Sequence, residues 1–76
     1  MAEELFAKIV TRALSDRAFR DGLAAIPQKT LANAGFEVTP DQLNAIVLAK
    51  PAEWGNYALE DLVLRIDALA MKKGYP

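Results

Sequence analysis

Seventy-six residues make one domain, 1–76, and a chain this short buries only about 60–65% of its unfolded surface, so its stability margin is narrow. It has no cysteine and no histidine, which removes disulfides, thiol chemistry, the commonest transition-metal ligand and the commonest general base near neutral pH. Nine basic and ten acidic residues nearly cancel and are spread evenly along the chain, leaving no basic patch for nucleic acid.

The opening stretch, MAEELFAKIVTRAL, puts acids ahead of its apolar residues, unlike a signal peptide. Charge interrupts every apolar segment, so no transmembrane helix is expected and a cytoplasmic location is the default expectation. The same stretch predicts a first helix over Glu3 to Leu14. Leu5, Phe6, Ile9, Val10 and Ala13 share one face, and Lys8 and Arg12 lie off it. Glu3 and Glu4 sit in its first turn, where the helix dipole favours acids.

Ser15 is a good N-cap for a second helix, in which Phe19 and Leu23 form an apolar i, i+4 pair. A bend at Ser15 is the expectation, in preference to one continuous rod. Gly22, inside that helix, costs about 1 kcal/mol relative to alanine, and marks either a close helix contact or a tolerated weakness. Pro27 stops the second helix and begins a short third one to Ala34, with Leu31 inward and Gly35 as its stop. Phe36 and Val38 alternate with Glu37 but have no strand partner, and read as a buried loop. Thr39-Pro40-Asp41-Gln42 is a capping-box pattern, which predicts a fourth helix to about Ala49 with Leu43, Ile46 and Val47 inward. Lys50-Pro51 ends it, Ala52 to Gly55 is a turn, and Trp54 within that turn plugs a gap between helices.

The last helix is expected over Asn56 to Lys73, capped by Asn56 and ended by Gly74. Leu59, Leu62, Val63, Ile66, Leu69 and Ala70 recur at three- and four-residue steps and form the longest apolar stripe in the chain. The fold class is therefore all-α: a single small domain of four or five short helices packed on a long C-terminal amphipathic helix.

Chemistry is sparse. Ser15 is the only serine and has no histidine to activate it. Glu60, Asp61 and Asp67 read as a solvated helix face, not as a di-iron carboxylate set. The four glycines stand singly, so there is no phosphate loop. No catalytic, metal or cofactor-binding residues are assigned, and the chain is not expected to be an enzyme. One feature asks for another protein. On a wheel of the last helix, Tyr57, Leu64, Ala68 and Met71 form a narrow second apolar strip on the otherwise charged side. Either a partner docks there, a second copy included, or the first helix or the Trp54 turn folds over the strip within the monomer.

The middle of the chain adds a resemblance. SDRAFRDGLAAIPQKTLANAGFEVT, Ser15 to Thr39, carries the spaced series Phe19-Arg20, Leu23, Pro27, Leu31, Gly35 and Phe36-x-Val38. With Ile9-Val10-x-Arg12-Ala13 as a helical lead-in, it resembles the leader region of the nitrile-hydratase-type leader peptide (NHLP) clan, precursors of ribosomally made, modified peptides. The resemblance implies a non-catalytic module in which Phe19, Leu23, Leu31 and Phe36 face a modifying enzyme or exporter; as plain helix geometry the same residues are core. No Ser, Thr or Cys follows Thr39 and no Gly-Gly occurs, so the likeness is to a stand-alone helical member of the clan, either a precursor leader or an accessory protein derived from one. A second resemblance covers more of the length. Phe19-Arg20, Pro27, Leu31, Gly35 and Thr39, then a helix, a turn with an aromatic and a last helix, are similar to the small α subunit of protocatechuate-type extradiol dioxygenases. That subunit caps the active site of a larger iron-bearing one. Gly55-Asn56 stands here in place of its Gly-Gly. A structural subunit of a larger assembly is a third expectation.

Overall fold

The computed structural model describes residues 2–71, and burial and side-chain contacts for residues 4–70. The elements are all helical: α1 (Ala2–Ser15), α2 (Arg17–Ala25), α3 (Pro27–Asn33), α4 (Pro40–Leu48), a 3-10 helix (Pro51–Asn56) and α5 (Leu59–Met71). No strand occurs among the described residues, and Phe36 to Val38 is a half-buried loop. The chain is all-α, as the periodicity predicts.

The bend between the first two helices is present, but its cap is Asp16, not Ser15. Asp16 adopts an extended backbone and its carboxylate accepts the Phe19 N–H at 3.2 Å. Ser15 remains the last residue of α1, where its hydroxyl donates back to the Thr11 carbonyl at 2.9 Å. A hydroxyl bonded one turn back is taken out of the competition for the next helix's N–H groups.

The other helix ends are similarly accounted for. Gly35, at φ +87°, closes α3 in a Schellman motif: its N–H reaches the Ala32 carbonyl and the Phe36 N–H reaches that of Leu31. The capping box of α4 is complete, with Thr39 Oγ1 accepting from the Gln42 N–H and Gln42 Oε1 accepting from the Thr39 N–H. Lys50 takes the left-handed conformation after α4, at φ 57°. Pro51 follows, and having no N–H it cannot complete the second bond of a Schellman motif. Trp54 satisfies another of the free carbonyls at this helix end: its indole Nε1–H donates to the Ala49 carbonyl at 3.0 Å.

Among the described residues, thirteen side chains form one buried cluster. Phe6, Ile9, Val10 and Ala13 come from α1, Phe19 and Leu23 from α2, Leu31 from α3, and Ala45 and Ile46 from α4. Ala49, Trp54, Leu62 and Ile66 complete it. Trp54 is wholly enclosed, filling the gap between helices that its position in a turn predicts. The last helix is a true amphipathic rod, packed by α1 and α4, but α1 contributes more of the core and also holds α2 and the 3-10 helix. The reason is the width of its stripe: four enclosed residues span a broad arc of α1, so it can serve neighbours on two sides.

Two expectations, one about an inward face and one about a helix cap, are corrected. Val47 is exposed, while Ala45 and Ala49 are buried with Ile46. Val47 stands about 200° round the helix from Ala45, so an inward arc centred on the two alanines turns it outward. Asn56 does not cap the last helix. Winding the Trp54 turn as a 3-10 helix uses Asn56, and the first bond of α5 runs from the Leu62 N–H to the Ala58 carbonyl. Leu59 consequently lies at the edge of the buried stripe, partly exposed. The expected continuation through Lys73 and the stop at Gly74 lie outside the described residues.

Candidate functional site

The resemblance series can be followed residue by residue. Phe19, Leu23 and Leu31 are enclosed in the core. Phe36 is half-buried and meets the Phe19 ring edge-on, with centroids 6.0 Å apart. Arg20 donates through Nη1 to the Ala13 carbonyl at 3.1 Å, satisfying an acceptor near the end of α1. Pro27 opens α3, and Gly35 supplies its left-handed exit. Each member therefore has a folding role. Phe19 and Leu23, expected as partner-facing in the leader pattern, are not presented on the surface of the folded chain. An i, i+4 pair on a nine-residue helix reads the same whether the core or a partner covers it.

Phe19 also carries the Arg12 guanidinium over its ring at 5.2 Å, and Arg12 pairs with Asp16 at 3.3 Å. The Phe19 N–H, assisted by Arg12, holds the Asp16 carboxyl below the usual aspartate range. This is a fastened joint between α1 and α2: cation, ring and carboxylate are all engaged locally.

The strip on α5 behaves differently. Leu64 is 62% exposed, the most open large apolar side chain among the described residues. Tyr57 and Ala68 are exposed as well, and the side chain of Met71 lies outside the described residues. Neither covering element expected from the sequence closes over the strip, because Trp54 turns inward and α1 lies beside it. That arrangement forms a shallow open groove. Ala7 of α1 and Leu59, Val63 and Leu64 of α5 make its apolar floor, and Glu4 and Glu60 stand at its rim. Asp67, two turns beyond Glu60, falls on the same side of α5. The wheel of α5 alone points to Leu64 and Ala68, whereas Glu4 and Ala7 join the site only through the packing of α1 on α5.

A second shallow groove lies between α3 and the start of α4, lined by Ile26, Pro27, Ala32 and Leu43 with Gln28 and Lys29. Ile26 is 54% exposed. It sits between two helices in a non-helical conformation imposed by the following proline, so helical periodicity passes over it.

Among the described residues no group of three or more Asp or Glu side chains is gathered as a metal ion would require, and no helix is long and apolar enough to cross a membrane. No protein-family model matches the chain, and neither a curated protein nor a solved structure matches it.

Proposed function

We propose that this chain is a non-catalytic helical interaction module that works by docking another protein, a modifying enzyme or a larger subunit, on the outer face of α5. The observation that carries the reading is Leu64. A large apolar side chain left open on a small domain, beside a groove with an apolar floor and a charged rim, has the composition of a docking surface. The Phe19 to Gly35 series supports kinship with the NHLP clan, as a cytoplasmic member. In the folded chain that series maintains the scaffold, and the contact surface is α5. A second reading draws on the run of α4, aromatic 3-10 turn and α5: a small capping subunit, similar to the α subunit of extradiol dioxygenases, using the same face.

The test is site-specific photocrosslinking in the native cells. A photoreactive phenylalanine analogue at position 64 is expected to give a discrete adduct with one other protein, while the same group at exposed Ala24 on α2 gives none. Equal labelling from both positions, or from neither, would reject docking through α5. A ring-cleaving large subunit in the adduct would decide for the second reading. Substrate turnover or stoichiometric metal in the purified chain would reject the interaction-module reading altogether.

A further inference from the structure

Resting on that reading, we infer that the occupant of the α1–α5 groove is a cationic amphipathic helix of another protein, with an apolar ridge flanked by lysine or arginine. The floor fixes the apolar part. Leu59, Val63 and Leu64 with Ala7 of α1 form a trough, and the α5 segment from Leu59 to exposed Ala68, whose Leu62 and Ile66 turn into the core, extends about 14 Å. That length accommodates two to three turns of a helix laid in the groove through its i, i+3, i+4 positions.

Charge fixes the rest. Glu4 and Glu60 stand on opposite walls, Asp67 continues the same side of α5, and no lysine or arginine lines the groove among the described residues. Acidic walls around an apolar floor attract a partner with basic flanks and repel one with acidic flanks. They also disfavour the alternatives. A two-fold pairing of this face with a second copy presents the same patch on both sides, setting one acidic rim against another. An anionic membrane surface would meet the same acidic rim.

The probes are two fluorescent peptides of about fourteen residues with one leucine ridge between them, flanked by lysine in the first and by glutamate in the second. Anisotropy titrations use the full chain. The lysine peptide is expected to bind at least about tenfold more tightly than the glutamate peptide at low salt, with the advantage shrinking as salt rises. Glu4→Lys combined with Glu60→Lys reverses the preference, and Leu64→Gln weakens both peptides. Equal binding of the two peptides would overturn the inference, as would a preference that survives charge reversal. A dimer abolished by Leu64→Gln, or binding to vesicles of phosphatidylcholine with one-quarter phosphatidylglycerol, would overturn it too. If neither peptide binds while the position-64 crosslink persists, the docking face stands and its cationic partner does not; loss of the crosslink removes both.

Discussion

Trp54, on the 3-10 helix, and Leu64, ten positions further on α5, are large apolar side chains of one short segment, yet the first is wholly enclosed and the second is 62% exposed. The difference lies in how many elements converge on each. The 3-10 helix is packed by α1 and α2, and the indole N–H closes the end of α4. Around Leu64 only α1 approaches, and from one side, so the groove has walls and no roof. One region spends its apolar surface on holding the fold; the other keeps it available.

The sharpest way to break this contrast is Trp54→Ala. Removing an enclosed tryptophan costs about 3–5 kcal/mol, comparable with the entire stability of a domain this small, so the variant is expected to show no cooperative helical melt by circular dichroism. A near-normal melt would mean that the 3-10 turn is not part of the core.

Gly22 examines the packed side at finer scale. A Cβ there would stand 2.6 Å from Thr30 Oγ1, so α2 and α3 approach closely at this point, which decides the question the sequence leaves open. Gly22→Ala is expected to cost about 1–2 kcal/mol through overpacking, despite alanine's helix preference of about 1 kcal/mol. Adding Thr30→Ala should cancel that cost. Strictly additive urea-denaturation values would show the contact to be irrelevant.

Lys50 reverses the sign. It holds a left-handed conformation that glycine adopts without steric cost, so Lys50→Gly should stabilise the chain by about 0.5–1 kcal/mol in thermal melts. A loss of stability would mean that the lysine side chain has an unrecognised packing role.

On the open side, Leu64→Gln is expected to change stability by less than about 0.5 kcal/mol. A sharp drop in its melting temperature would show the strip to be internal and would erase the contrast with Trp54.

The smallest effect is the acid response of the α1–α2 joint. Asp16 is held below the ordinary aspartate value by the Phe19 N–H and then by Arg12, so its folded form binds a proton less readily than its unfolded form. Its contribution is complete above the unfolded value of about 3.9 and is lost as pH falls through the lower folded value. Asp16→Asn should therefore flatten the low-pH limb of the stability profile and leave its neutral limb parallel to that of the parent chain. An unchanged acid limb would show that the carboxylate is not engaged.

Most of the architecture was legible because local rules and packing agree in this chain. The capping box at Thr39, proline at the starts of two helices, and Gly35 after α3 each act within a few residues, and each is present as read. The misreadings share a form. Ser15 against Asp16, Val47 against Ala45 and Ala49, and Asn56 against Ala58 are choices between near neighbours. The first turns on bonds within one helical turn, and the other two on how α4 packs and on the 3-10 helix that takes up Asn56. Part of the groove was legible as well: Leu64 follows from the wheel of α5, whereas Glu4 and Ala7 do not, because no pattern along one helix reports what lies beside it.

The residues by themselves determined that this chain is helical, where its helices break, and that one face of the last helix carries more apolar surface than its own stripe requires. Those properties follow from backbone sterics, capping and a 3.6-residue period, all of them short-range. Only the tertiary structure decided that Phe19 and Leu23 are enclosed, that α1 gathers more of the core than α5, and that Leu64 remains open beside two carboxylates. Burial is a property of what other elements reach, and that is settled when the helices pack.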